Sequence, residues 1–283
     1  MSKYIRCERF ESGDELKLVV ISDMHVGSKA FHEDAFLECR QRIIDEDMYV
    51  AFAGDALEGK KIDSPHFNPD SLRPRQLDIG KQLEYFCDLW KPIADRTVLF
   101  MPGNHDQYLS PNFDIPRALS KELGILDTLG GYQSWLNIAG LTLHFWHGKP
   151  ALPRGAKDPV QREANQKAWL KNRLEKLAGS AHAQYMGHTH ACLILPPIEQ
   201  YALLDIGENC RGRFFTEQVR DINGAVWVPP DARWYVNTGT FRRTGGFGFE
   251  DYAEIAGYSP LPIATTITEI GDSKVQNISK VIF

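Results

Sequence analysis

The 283-residue chain is 43% hydrophobic and 24% charged, the balance of a soluble globular protein able to bury a sizeable core. A net charge of −5 and a pI near 6.0 exclude a global attraction to nucleic acid or anionic membrane, so a phosphate-bearing partner has to be held locally. Five scattered cysteines without Cys-x-x-Cys, a charged N-terminus without a signal-type apolar segment, and no apolar run near the ~20 residues of a membrane span together predict a cytoplasmic protein with no membrane association.

In chain order, Leu16 to Ser22 (LKLVVIS) is a β-branched run of the buried-strand type. Apolar residues at Phe31, Ala35, Cys39 and Ile43 predict an amphipathic helix over Phe31 to Asp47. Met48 to Ala53 predicts a second strand, Leu77 to Ile93 a second helix, and Thr97 to Gly103 a third strand. This β-α-β-α-β rhythm implies parallel strands with helical crossovers. Trp135 to Ile138 and Leu141 to Trp146 predict a hairpin, and Val160 to Ala178 a charged amphipathic helix. Short strands are expected at Ala183 to Met186, Ala191 to Leu195, Trp234 to Asn237, Ala264 to Ile270 and Lys274 to Ile282, the last two joined through a Gly-Asp hairpin signal. The absence of repeats or a clear linker favours one domain over 1–283, with loop-rich insertions around 57–76 and 207–262; within the latter, 207–233 and 239–262 read as long loops over the site face.

Ligand-type residues follow the strands. SDMH supplies Asp23 and His25, AGD supplies Asp55, PGNHD supplies Asn104, His105 and Asp106, HFWHG supplies His147, and MGHTH supplies His188 and His190. In open α/β sheets, ligands gather outside the carboxyl ends of strands. Each piece alone also reads blandly: Gly-Asp is a common turn pair, and Asp-x-His can be a turn beside a surface histidine. His144 competes with His147, but pleat alternation turns it to the opposite face, which favours His147.

The ordered set D-x-H, GD, GNHD, HG and GHTH resembles the calcineurin-like metallophosphoesterase superfamily from about Leu16 to Gly239, and YVNTGT (Tyr235 to Thr240) is similar to that fold's closing strand. The resemblance implies an α/β fold, a four-layer α/β/β/α sandwich with two mixed β-sheets, around two divalent metal ions. It assigns Asp23, His25 and His190 to one ion, Asn104, His147 and His188 to the other, and Asp55 as the bridge. Manganese is expected, and mixed imidazole, carboxylate and amide ligands suit iron, zinc or nickel as well. The implied chemistry is in-line attack of metal-bound hydroxide on a phosphate ester. His105 would protonate or stabilise the leaving oxygen, and Asp106 would orient it or act only as a turn residue.

The substrate is less constrained. The arginine of the protein Ser/Thr phosphatase pattern GDxxDRG is missing from GDALEGK, as is the arginine expected soon after GNHE, where this chain reads GNHDQY. GNHD also departs from the GNRD of lipid A precursor hydrolases. A basic and aromatic set remains: Lys60, Lys61, Arg73, Arg75, Arg211, Arg213, Arg242 and Arg243, with nearby phenylalanines. Arginine beside phenylalanine suits a nucleotide or single-stranded nucleic acid, with Arg242 and Arg243 as candidate substrate contacts, although solvated loops would look the same. The expectation is a phosphodiesterase; the alternatives are a phosphomonoesterase or a non-catalytic scaffold of the same fold. The native metal pair and the oligomeric state stay open.

Overall fold

The computed structural model describes residues 3–59, 69–107, 114–149, 151–153, 155–214, 220–222, 225–244 and 259–283. In chain order the elements are β1 (Lys3–Arg6), β2 (Leu16–Ile21), α1 (Glu33–Asp45), β3 (Tyr49–Phe52), α2 (Ile79–Trp90), β4 (Thr97–Phe100), the one-turn α3 (Asn104–Gln107), α4 (Ile115–Glu122), β5 (Gln133–Ile138) and β6 (Leu141–Trp146). There follow α5 (Pro159–Leu174), β7 (Ala183–Met186), β8 (Cys192–Leu195), β9 (Tyr201–Asp205), β10 (Cys210–Phe214), β11 (Arg220–Ile222), β12 (Ala225–Trp227), β13 (Trp234–Thr238), β14 (Ala264–Gly271) and β15 (Lys274–Ile282).

The strands form a five-stranded sheet, β15-β14-β2-β3-β4, and a six-stranded sheet, β1-β5-β6-β7-β13-β8. Both are mixed: β2 pairs in parallel with β3 but antiparallel with β14, and β13 in parallel with β7 but antiparallel with β8. Side-chain alternation builds the layers. Leu18 and Val20 of β2 face the second sheet and meet Leu136, Leu143, Phe145, Tyr185 and Val236. Val19 and Ile21 face the other way, into a core with Phe36 of α1, Phe86 and Trp90 of α2, and Leu119 of α4. On the far side of the second sheet, Leu170 and Leu174 of α5 cover Met186, Leu193 and Tyr235. The result is the α/β/β/α sandwich expected above. A strand buried on both faces reads as a continuous apolar run, which is why LKLVVIS carries no alternation.

The helix starts are set by side-chain caps. Asp78, Asp114 and Asp158 each accept a backbone N–H in the first turns of α2, α4 and α5, and His32 does so for α1. Among the described residues, no helix is long and apolar enough to cross a membrane.

Several local expectations change. The strands expected on either side of MGHTH, β7 and β8, are separated by β13, so this segment crosses the rim. The β14–β15 hairpin turns at Asp272 and Ser273, both at positive φ (51° and 56°), one residue later than the Gly-Asp signal suggested. The stretch read as a loop from 207 contains β10 and the short β11–β12 hairpin, and β9 pairs with β10. Lys60, Lys61 and the phenylalanines at 247 and 249 lie outside the described residues.

Candidate metal centre

The turns that leave β2, β3, β4, β6 and β7 converge on one rim between the sheets. Asp23 and His25 follow β2, Asp55 follows β3, Asn104 and His105 open α3 after β4, His147 follows β6, and His188 and His190 follow β7. The backbone is bent to bring them there. Asp23, His25, Asp55, His188 and His190 all sit in the left-handed region, at φ of 52°, 52°, 58°, 68° and 63°. Such conformations cost non-glycine residues on the order of 1–3 kcal/mol each and persist where the surroundings over-determine them. Here the surroundings include backbone bonds from Asp23 N–H to Gly54 O (2.9 Å) and from His25 N–H to Asp55 O (3.1 Å).

Two glycines make the convergence possible. A Cβ on Gly103 would lie 2.0 Å from Asp55 Oδ1. A Cβ on Gly54, itself at φ +102°, would lie 2.5 Å from His147 Nδ1. The loop after β13 closes the same region: Thr240 Oγ1 donates to Asp23 O at 2.8 Å, and Phe241 N–H donates to the same carbonyl at 3.2 Å.

Three overlapping groups could each hold a cation, with donor atoms within 4.8 Å of one another: Asp23, His25 and His190; Asp55, His147 and His188; and His25, Asp55 and His105. His190 Nε2 is 3.4 Å from Asp23 Oδ1 and 3.2 Å from His25 Nε2. Asp55 Oδ2 stands 3.2 Å from His147 Nε2 and 3.7 Å from His25 Nε2, between the first two groups. Asn104 Oδ1 joins the second, 3.1 Å from His147 Nε2 and 2.8 Å from His188 Nδ1.

Ring orientation is set from behind. His147 Nδ1–H donates to Ala53 O at 2.8 Å, which turns Nε2 towards Asp55 and Asn104. His105 is half-buried; its backbone N–H donates to Asp55 Oδ1 at 2.9 Å, and its Nδ1–H donates to Glu58 O at 2.6 Å.

Two buried, ionised carboxylates suit a cation, whose binding would displace the proton that they hold on His147. Asp23 and Asp55 are buried, and Asp23 Oδ1 accepts no hydrogen bond. Burial pushes the Asp23 carboxyl up, but the His190 and His147 rings together outweigh it and hold the group at about 2. Asp55 is likewise held well below the carboxylate range: burial opposes this, and the imidazoles of His147, His105 and His25 override it. Burial lowers His147, yet Asp55 and Asp23 raise it to about 10. Burial takes His25 down to about 4 and lowers His188. Oxygen and imidazole donors of this kind, without thiolate, suit a first-row divalent ion.

The structure bears on three sequence expectations, and for Asp106 it favours the turn role. Asp106 does not orient the His105 ring. Its carboxylate accepts the backbone N–H groups of Asp55, Ala56, Leu57 and Gly103, at 2.8–3.2 Å, and so pins the turn after β3 to the turn after β4. Burial and the nearby Asp55 raise its pKa to about 6. Arg242 is not on an open substrate face: it is 8% exposed, with Nε 3.8 Å from Glu58 Oε2. Arg243 is half-buried, and its backbone N–H donates to Ala30 O. Arg73 is occupied by Glu33, with Nη1 2.6 Å from Oε2.

His144 stands apart from the cluster, buried beside Gln133, with burial lowering its pKa to about 4. The residue that sequence reasoning missed is Glu58, which is 1% exposed and 3.0 Å from His25 Nδ1. A carboxylate three residues after Asp55 was the only available signal, and its burial depends on the tertiary fold.

Two mixed sheets stacked face to face between helices, with Asp, His and Asn side chains converging on one rim, define a metallophosphoesterase domain. A model of the calcineurin-like phosphoesterase family matches residues 16–192, and the chain belongs to that family. It is similar to the DNA polymerase II small subunit of Methanothermobacter thermautotrophicus, 28% identical over 152 residues, covering 48% of this chain and 31% of that protein. The same subunit from Pyrococcus furiosus is 26% identical over 183 residues, covering 50% of this chain and 28% of the relative. The chain thus spans about a third of the length of these curated relatives. Among solved structures, a protein of unknown function from Aquifex aeolicus aligns at 16% identity and a TM-score of 0.33, over 62% of this chain and 80% of that one.

Proposed function

We propose that this protein is a metal-dependent phosphoesterase that cleaves a phosphodiester of a nucleotide or nucleic acid. The observation that carries the reading is the convergence of Asp23, His25 and His190 with Asp55, His147 and His188 on one rim, with Asp55 between the two sets. In this reading Asp23, His25 and His190 would hold one divalent ion, Asn104, His147 and His188 a second, and Asp55 would serve both; manganese is the expected occupant. Such a pair supplies Lewis-acid polarisation of the phosphoryl oxygens and activation of water.

The protein's own part is orientation and proton delivery. His105 is anchored through Nδ1 on the Glu58 carbonyl, and in this reading its ring would protonate or stabilise the leaving oxygen. Its backbone N–H on Asp55 fixes the distance between the acid and the carboxylate shared by the two sets. The absence of phosphatase-type arginines in GDALEGK supports a diester monoanion over a monoester dianion, and the naming of relatives as DNA polymerase subunits supports a nucleic substrate.

The test is hydrolysis of bis-nitrophenyl phosphate and nitrophenyl phosphate with Mn, Ni, Zn or Mg supplied, followed by a dinucleotide diester and single-stranded DNA. Metal-dependent turnover with higher kcat/KM on the diester is expected. Preference for the monoester would move the protein to the phosphomonoesterase alternative. A second reading, a non-catalytic component of a nucleic-acid assembly, draws on the same polymerase relatives. It predicts metal binding without turnover on any of these substrates.

A further inference from the structure

We propose that Glu58, backed by Arg242, is a positioning residue that sets the His25 imidazole for a metal ion; the proposal rests on the metal-centre reading above. Glu58 is 1% exposed, and its Oε2 lies 3.0 Å from His25 Nδ1 and 3.8 Å from Arg242 Nε. Taking a carboxylate out of water costs several kcal/mol unless its charge is met. Here it is met on one side by the His25 ring and on the other by a guanidinium. The backbone holds the arrangement: Glu58 N–H donates to Val26 O at 2.9 Å, directly beside His25. Arg242 N–H donates to Thr240 Oγ1 at 2.9 Å, and that hydroxyl in turn donates to Asp23 O.

The chemical consequence is a tautomer. A carboxylate beside Nδ1 keeps the ring proton on that nitrogen, which leaves the Nε2 lone pair outward. Nε2 is the atom that faces His190 Nε2 at 3.2 Å, Asp55 Oδ2 at 3.7 Å and Asp23 Oδ1 at 3.9 Å. Nδ1 and Oε2 stand 3.0 Å apart without an aligned hydrogen bond, so the carboxylate acts on the ring through its charge at close range. His147 in the second set has only a neutral carbonyl, Ala53 O, in the corresponding role. A carboxylate raises the basicity of a ligating imidazole more than a carbonyl does, so the two sets are unequal by construction. Arg242 thereby acts on the centre through Glu58 and not by touching substrate.

Calorimetric titration of the full chain with Mn tests this, using Glu58→Ala, Glu58→Gln and Arg242→Met. Glu58→Ala is expected to weaken one of two equivalents by ~10–100-fold, the usual loss when such a partner is removed, and to leave the other unchanged. Glu58→Gln should recover part of the affinity, because an amide oxygen beside Nδ1 keeps an acceptor there without the carboxylate's charge. Arg242→Met should show a smaller loss that disappears in the Glu58→Gln background. Long-range proton–nitrogen spectra of the metal-free protein, with His25 assigned through His25→Gln, should show Nδ1–H in the wild type and a shift towards Nε2–H in Glu58→Ala. If Glu58→Ala fails to fold, the double variant Glu58→Ala with Arg242→Met carries the same test.

A folded variant lacking Glu58 that binds both equivalents at wild-type affinity, with the His25 tautomer unchanged, overturns the proposal. A wild type that binds two ions but hydrolyses nothing removes the catalytic reading and leaves this one intact. A wild type that binds none removes both.

Discussion

Asp55 and Asp106 are neighbouring buried carboxylates with opposite duties, and the atoms they touch separate them. Asp55 Oδ2 faces imidazoles of both ligand sets, whereas Asp106 faces only backbone N–H groups. Asp55→Asn removes the charge shared by the two sets, so it is expected to weaken both metal equivalents together, measured by metal analysis after dialysis. Retention of either equivalent at wild-type affinity would refute the shared role. Asp106→Ala leaves four buried donors in search of partners, at about 1–3 kcal/mol for each that stays unsatisfied. Its urea midpoint should fall by the equivalent of at least ~2 kcal/mol, and the turn that carries Asp55 should lose its geometry with it. His105→Ala is the contrast: stability and metal content are expected to hold while turnover falls ~10²–10⁴-fold. The loss should be smaller on nitrophenyl leaving groups, which need little protonation. Because His105 also lies within one of the cation-holding groups, loss of metal from this variant would make it a ligand instead.

Around the rim, separate elements are tied by a small charged network at the start of α1. Glu33 Oε2 is 2.6 Å from Arg73 Nη1, Tyr85 of α2 donates its hydroxyl to Glu33, and Arg73 Nη2 donates to Phe31 O at 3.0 Å while its guanidinium lies over the Phe31 ring. Burial pushes the Glu33 carboxyl up, but Tyr85 and Arg73 outweigh it and hold the pKa below its ordinary value. A depressed carboxylate contributes stability that is fully present above the unfolded-state pKa and lost as pH falls through the folded one. Glu33→Gln is therefore expected to cost no more than ~1 kcal/mol at pH 7, since both partners are partly exposed. The difference from wild type should begin to close as the pH falls through the ordinary glutamate value of ~4.3 and go on closing through the lower folded pKa, read as paired urea midpoints at pH 7 and at several pH values below 4. A difference that persists at low pH would assign the contribution to packing and not charge.

The same network shows why elements differ in how far the sequence announces them. The strands that precede the candidate ligands are mostly apolar and buried, so they stand out. β1 (KYIR) is a largely exposed edge strand with neither an alternating nor a continuous apolar signal, and β9 (YALLD) pairs with β10 alone and leaves Tyr201 and Leu203 exposed. Histidines and aspartates at strand ends announce themselves by residue type and order. Glu58 and Arg242 do not, because a loop glutamate and a loop arginine look solvated until the fold brings them together and buries both.

Across the whole molecule, sequence order and spatial order diverge in a way no local pattern shows. β14, near the end of the chain, lies between β15 and β2 near its beginning, and β13 inserts between β7 and β8. The family match ends at residue 192, so a fragment bounded by it lacks both inserted strands. Without β14, β2 loses its antiparallel partner along Leu16 to Val20 and exposes a backbone edge. Without β13, β7 also becomes an edge, and Met186, on which α5 packs, loses Tyr235 beside it. The loop carrying Thr240 and Phe241, which holds the Asp23 carbonyl, goes as well. This interleaving leads us to take residues 1–283 as one cooperative unit, in which the metal rim depends on strands from both ends of the chain. The full chain is expected to unfold in a single calorimetric transition whose midpoint rises when Mn is added, because an ion that binds only the folded state stabilises it by mass action. The 16–192 fragment is expected to give no cooperative transition and no Mn-dependent shift. Two resolved transitions in the full chain, or a fragment that melts cooperatively and still responds to Mn, would show that the rim is supported by the matched region alone.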